Sequence, residues 1–537
     1  MPAISVTNFA GTFPIKNPKN LEVNQAQTAS NVDLSRGDLR SMSGITAVST
    51  LATTLPKTLW RCGSSWITLG TGVTAYVVDS FIQESLNRFY FSDGTFPKQS
   101  NSTLWGTATS YRLGVTPPAV APTLTITGTG DGTTQATVSY VFTMVTAWGE
   151  ESAPSPATAV IDVENGEGVN LSVLTTPTDT ANNFQYKRIY RLASGTTGAE
   201  YCYLDQIAFA NTTYSDYNAG SLKTVSTDVL ETTDWAVPPT ALLYLTQAHN
   251  GMLIGAYGKD MYVSEPFVPY AYPTDYVVSV DSDITGIGAT KEFILILSSS
   301  FPYIVTGATP DSLVSTAVPI STKCMSQRGV VSTADGVYYP ASDGLYFCNG
   351  SSVVCVTANT YTGAQWTALG PSNFIAEWYG DCYTAFVAGS NTGISVDPQT
   401  GEVTTFTIPS TITVVRDVYH YSTDDTLYVL GTDNSGVNSY IISFDTNATG
   451  LTFTWKSKKF VSPDKFNCAK VKGNYGAGSL TFKYYLNGSE KLSKSLTAEG
   501  IFRLPSDCGA TDKEFQLSGT LTSVDSVQLA TSASELV

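Results

Sequence analysis

Histidine is nearly absent from this chain: His249 and His420 are the only two. A metal centre built on imidazoles, or a nucleophile activated by a histidine base, has very little to draw on. Charge is scarce as well, at 14% of residues against about 25% in ordinary soluble domains. A disordered chain and a solvent-exposed helical rod are both excluded on that ground. Positive charge is the scarcer sign, with 29 Lys and Arg against 45 Asp and Glu, a net charge of −16. Proteins that grip nucleic acid by its phosphates carry a basic patch or a basic total, so tight non-specific DNA binding is not expected. No apolar run approaches the ~18 residues of a membrane-spanning helix, and the opening MPAISVTNFAGTFPIKNP lacks a basic region followed by a long apolar core. Neither a transmembrane segment nor a signal peptide is expected. The eight cysteines, at positions 62, 202, 324, 348, 355, 382, 468 and 508, include no CxxC pair. They read as buried free thiols of a protein made in a reducing cytoplasm.

Catalytic motifs are missing too. There is no GxSxG elbow, no Walker A loop and no GxGxxG between a strand and a helix. The glycine-rich Gly128–Gly132 stretch lies between two strand-like runs, with no helix behind it to cradle a phosphate. His249 precedes an Asn-Gly turn, and His420 sits between two tyrosines in a strand-like run. Acidic pairs such as Asp281 with Asp283 and Asp424 with Asp425 sit in turns, where aspartate satisfies local backbone groups. Ser92-Asp93-Gly94 is a partial echo of the sialidase Asp-box, but the rest of that motif is missing. The expectation is no catalytic residue, no metal ligand and no bound cofactor.

What the 537 residues do contain is 11% aromatics, with 30 Tyr, 23 Phe and 8 Trp, and much Ser and Thr. That is the make-up of a turn-rich all-β protein. Residues 1–46 form a distinct N-terminal segment. Gln25 to Ser30 could form a helical turn or two. Arg36-Gly37-Asp38 reads as a tight turn rather than an adhesion tripeptide, with Leu39 and Met42 pointing inward beyond it. Residues 47–118 and 233–459 share one rhythm: short strands separated by turns such as Asp93-Gly94, Gly258-Lys259, Asp335-Gly336 and Asp343-Gly344. Units of several strands recur every 35 to 50 residues, the period of propeller blades, and six to eight blades fit. Residues 119–232, entered through the proline-rich Val115–Leu124 run, show strand signals about every ten residues and read as an inserted fibronectin-III-like β-sandwich. This module carries a large share of the negative charge. Residues 460–537 alternate strictly in places, as in LTFKYYL, and read as a C-terminal β-sandwich.

The two ends carry a resemblance. NFAGTFPIKN and LEVNQAQTASNVDLSRGDLRSMSGI, with Asn8, Asn31, Gly37, Leu39, Arg40 and Gly44, resemble the N-terminus of phage tail nozzle and hub proteins. FRLPSDCG, EFQLSGT and VQLATSASEL resemble the tail end of the same proteins, through Arg503, Leu504, Pro505, Phe515, Ser518, Gly519, Ala530, Glu535 and Leu536. The family is that of the tail tubular and packaged-DNA stabilisation hub proteins of short-tailed phages. The resemblance implies a structural, non-enzymatic virion tail component, made in the host cytoplasm. It implies a homo-hexameric ring whose channel retains viral DNA and then conducts it during ejection. Implied partners are a tail adaptor or head-to-tail connector, tail fibres or spikes, a needle or plug, and double-stranded DNA in passage. An acidic channel suits that work, because bound Lys or Arg would pin the phosphates. Two other classes remain open at this level: a receptor-binding, adhesive tail protein, marked by exposed aromatic pockets, and a propeller glycosidase acting on host surface polysaccharide, marked by clustered carboxylates in the propeller funnel.

Overall fold

The computed structural model describes residues 4–51, 56–62, 65–69, 76–78, 88–92, 95–105, 109–177, 181–194, 198–475, 478–506, 510–520 and 523–536. The chain is all-β, with helical turns as connectors.

Seven small antiparallel sheets follow one another along the chain. The first pairs Thr58–Cys62 with Ser65–Leu69, and the second runs from Tyr76–Val78 to Tyr111–Arg112. The third starts at Leu243–Gln247, the fourth at Ile284–Ala289, the fifth at Val331–Ser332, the sixth at Phe374–Tyr379 and the seventh at Val414–Tyr421. Their hydrophobic residues do not form one core. They form a separate cluster at each junction. Trp60, Ile67 and Phe89 join the first sheet to the second, and Tyr90, Leu245 and Leu253 the second to the third. Met261 and Ile296 join the third to the fourth, and Leu295 and Tyr339 the fourth to the fifth. Leu345 and Tyr383 join the fifth to the sixth, Phe386 and Val429 the sixth to the seventh, and Leu430 and Leu59 the seventh back to the first. A circle of face-to-face junctions is a β-propeller. It also explains why blade strands such as Ile294–Ser298 and Arg88–Ser92 are buried at every residue. Both faces of such a sheet meet a neighbour, so the usual in-out alternation is lost.

The ring is closed by a distant strand. Gly44–Leu51 pairs antiparallel with Ser439–Asn447 and becomes the outer strand of the seventh blade. Upstream of it, Ala26–Ser30 is a strand, not the helical turn expected from Gln25 to Ser30. It lies between Val403–Thr407 of the sixth blade and Phe453–Ser457, extending that blade into a ten-stranded sheet that continues through Asp512–Gly519 and Leu480–Leu486. Local propensity is overridden there by two waiting strand edges. Ile4–Val6 pairs with Ser523–Ala530 in a second sheet, and one core of both chain ends fills the space between, with Val6, Phe9, Leu39, Trp455, Phe482 and Leu529 all in it. Leu480–Leu486 alternates strictly between buried and half-buried positions.

The inserted module leaves the second blade after Arg112 and ends before Leu243. Thr123–Gly128, Glu167–Ser172 and Tyr214–Asp216 form one of its sheets, and Tyr140–Thr146, Phe184–Ser194 and Ala199–Ala208 another. Tyr140, Phe142, Val169, Leu171 and Ile189 fill the sandwich between them.

Arg36-Gly37-Asp38 is a turn with Gly37 at φ +80°, and Leu39 behind it is fully buried. A Cβ at Gly37 would lie 2.5 Å from Asn8 Oδ1. Gly37→Ala is therefore expected to destabilise the fold by about 1–2 kcal/mol, read as a lower midpoint in urea denaturation. The Asp93-Gly94 turn lies outside the described residues.

Candidate functional site

The innermost strands of a propeller surround its axis, and here they leave a cavity of about 560 Å³, within the ~300–1,000 Å³ range of small-molecule sites. Thr58–Trp60, Leu245–Gln247, Ile287, Gln327–Arg328, Glu377–Trp378 and Asp417–His420 line it, one contribution from each of six blades.

Two of these linings are braces. Gln327 accepts from Ile287 N at 2.7 Å and donates back to Ile287 O at 2.9 Å, holding the fifth blade to the fourth as a strand would. Arg328 reaches further. Its guanidinium ion-pairs with Asp417 of the seventh blade and donates to Arg416 O at 2.6 Å. Asp417 also accepts from Leu59 N at 2.6 Å in the first blade. One carboxylate thus fastens three blades at the point where the ring closes. Its register position is irregular, since the pairing of Val414–Tyr421 with Thr426–Thr432 shifts between Val415 and Asp417. Burial raises the Asp417 carboxyl above the ordinary aspartate range, against the pull of Arg328.

Glu377 is different. It forms no ion pair among the described residues. Burial together with the charge of Asp417 pushes its carboxyl up to about 8, against a smaller downward pull from the His420 backbone N–H. An acid that keeps its proton near neutrality, facing a cavity, is a chemically available group. Sequence reasoning passed over both residues. The signal was an acid inside an otherwise apolar, aromatic run: IAEWY and VVRDVYHY.

The acids weighed from the sequence lie elsewhere. Asp281 accepts from Tyr303 OH at 3.0 Å. Asp424 accepts from Tyr428 OH at 2.8 Å and from Thr426 N at 3.1 Å. Both act as turn anchors. His420 lines the cavity but its Nε2 bonds the exposed Asp425 at 2.9 Å. His249 Nε2 donates to Gly307 O at 2.5 Å. Ser92 Oγ donates to Leu242 O at 2.7 Å, tying the second blade to the third. Among the described residues no three His, Cys, Asp or Glu side chains gather where they could hold a metal, and the six cysteines whose side chains are described are free thiols, three buried and three half-buried.

The residues that carry the end-to-end resemblance lie along both chain ends, and Leu39 joins one end to the other. Phe9 N donates to Gly37 O at 2.9 Å, and Leu39 and Val524 exchange backbone bonds of 3.0 and 2.8 Å. Asn31, at φ +53°, donates to Thr452 O and accepts from Thr407 N, clasping the sixth blade and the strand that follows the seventh. Gly44 lies where a Cβ would be 2.5 Å from Thr449 O. Ser518 Oγ donates to Phe453 O at 3.0 Å, Arg503 pairs with Cys468, and Leu536 packs on Ala530. Arg40 ion-pairs with Asp38 at 2.7 Å, and Glu535 accepts from Thr531 at 2.6 Å.

No family model and no curated protein matches this chain. Solved structures do. The WD40 domain of Pan2 from Neurospora crassa is 8% identical over 53% of this chain and 86% of its own, at a TM-score of 0.27. A chain of a mitotic checkpoint complex is 10% identical over 74% and 97%, at 0.29. An exo-β-1,3-galactanase from Phanerochaete chrysosporium is 10% identical over 55% and 98%, at 0.23. These are likenesses of β architecture. The propeller rests on the sheet order and the junction cores described above.

Proposed function

We propose that the chain is a structural component of a short phage tail, a nozzle or hub subunit that assembles into a ring, retains packaged DNA and conducts it during ejection. The observation that carries this reading is the composite seam. Leu39 from one end and Leu504 and Phe515 from the other, hundreds of positions apart in sequence, meet in one hydrophobic core, beside the sheet that extends the sixth blade. A seam of that kind makes a rigid platform, which is what a subunit under the mechanical load of a tail requires.

The axial cavity is crossed by Arg328 and far too small for a duplex whose major groove alone is ~12 Å wide. A DNA channel belongs between subunits, around the axis of a homo-hexamer. With −16 per subunit, a bore that carries its share of that charge would offer few Lys or Arg contacts to the phosphates and let passing DNA slide. The proposed neighbours are an adaptor, fibres or spikes, and a plug, in the virion tail.

A second reading has one specific observation behind it. Glu377 and Asp417 share the propeller cavity, and a glycosidase needs two carboxyl groups. Asp417, however, already spends its oxygens on Arg328, Leu59 N and Val418 N. That leaves Glu377 without an ionised partner free to act, and favours the scaffold.

Particle imaging and native mass measurement of the purified chain and of the assembled tail decide between them. A closed six-fold ring with a central bore is expected. A monomer with no channel, or cleavage of a surface polysaccharide that Glu377→Gln abolishes, would overturn the structural reading.

A further inference from the structure

A second cavity, of about 510 Å³, lies where the inserted sandwich meets the third blade. Its walls are aromatic. Trp235 and Tyr270 stand at 79° to one another with ring centres 5.7 Å apart, and Tyr190 and Tyr203 at 76° and 5.9 Å. Each pair meets edge to face at nearly a right angle, so the four rings that line the cavity lie in differing planes.

Its floor is fixed. Glu151 accepts from Thr143 Oγ1 at 2.6 Å and Tyr190 OH at 2.7 Å, and ion-pairs with Arg188. Arg188 also donates to Gln206 at 3.2 Å. The single cation of the cavity is therefore neutralised in place. Asp228 and Glu231, both exposed at the rim, form no ion pair among the described residues. Asp228 is held by Ser226 Oγ at 2.8 Å, and its segment is pinned along the sandwich edge by Tyr203 N to Asp228 O and Leu230 N to Tyr201 O, both 2.8 Å. The cavity thus carries two uncompensated negative charges beside four aromatic rings. The hydroxyl of Tyr203 is held above its ordinary range by burial first and then by Asp205, with Arg188 pulling it down and Glu151 and Asp228 adding smaller upward contributions.

The geometry points to a binding site for an organic ammonium group, received between the Trp235 and Tyr203 walls and steered by Asp228 and Glu231. Ring faces attract a cation through their quadrupoles, most strongly for Trp. Rim carboxylates add a longer-range attraction that salt screens. A neutral group of the same shape gains the contact but neither electrostatic contribution, and an anion is repelled. The site is independent of whether the chain belongs to a tail. A quaternary ammonium, as on a choline headgroup, and the primary ammonium of a lysine side chain both meet its chemistry.

Saturation-transfer NMR on the full chain tests it, with choline, with Nα-acetyl-lysine amide, and with 3,3-dimethylbutan-1-ol as the uncharged isostere of choline. At least one of the two cations is expected to show saturable transfer that weakens as sodium chloride is raised. Which one saturates at lower concentration identifies the source. The uncharged isostere is expected to show little. Asp228→Asn with Glu231→Gln, two exposed and shape-conserving changes, should weaken the cation by about tenfold. Trp235→Ala should abolish its signal. Equal transfer to choline and its uncharged isostere, binding unchanged in the double carboxamide variant, or no saturable transfer to either cation would each overturn the proposal.

Discussion

Arg88→Ala should destabilise the protein by about 3–5 kcal/mol, the cost of leaving a buried charge without its partner. Arg88 and Glu150 are 2.6 Å apart and each side chain is only 2% exposed. Arg88 belongs to the second blade, and Glu150 to the loop that follows strand Tyr140–Thr146 of the inserted sandwich. Gln99 donates to the same carboxylate at 2.9 Å, and the Arg88 guanidinium lies 4.4 Å from the Trp148 ring centre. Removing the guanidinium leaves Glu150 ionised and buried without a cation, or forces it to take up a proton. Either way the junction between the two modules loosens. The expected result is a lower midpoint in urea, with faster proteolysis of the segments entering and leaving the module near residues 115 and 235. Arg88→Met combined with Glu150→Leu should recover most of the loss, because a well-packed apolar pair can replace a buried ion pair at little cost. If the single variant is as stable as the parent, the pair does not hold the module.

The second large effect is on pH dependence. Glu377 has its proton affinity raised from an ordinary value of 4.5 to about 8 in the fold. The folded state therefore keeps a proton that the unfolded chain has already released. Its contribution is complete below about pH 4.5 and is lost as pH rises to about 8, after which the dependence is flat. At ~1.4 kcal/mol per pH unit of difference, the span amounts to a few kcal/mol, moderated by the water that reaches this half-buried residue. Glu377→Gln mimics the protonated form. It should match the parent near pH 5 and exceed it in stability above pH 8. Urea denaturation of both proteins across that interval measures the gap. Parallel curves would mean that Glu377 is ionised throughout, and that the cavity is wetter than its lining indicates.

Both residues show where a sequence stops being informative. Arg88 and Glu150 look like ordinary surface charges in the chain. Only the approach of the sandwich to the second blade removes water from them. Glu377 and Asp417 each sit in one strand of a repeating pattern. Only closure of the ring brings them to a common axis, where their charges act on each other.

The sequence by itself determined the class: sparse charge, abundant Tyr, Thr and Ser, and frequent turns make strands and little else. It also determined the repeat that becomes the ring of blades, the inward side of Leu480–Leu486 and the turn at Gly37, because these depend on residues a few positions apart. The tertiary structure alone decided that Ala26–Ser30 is a strand, that Gly44–Leu51 closes the seventh blade and that both chain ends share one core. Those outcomes depend on contacts such as Thr12 Oγ1 to Val403 O, between residues 391 positions apart. Strand preference is a preference for a packed, paired surface, and the neighbour that supplies it is not written in the local sequence.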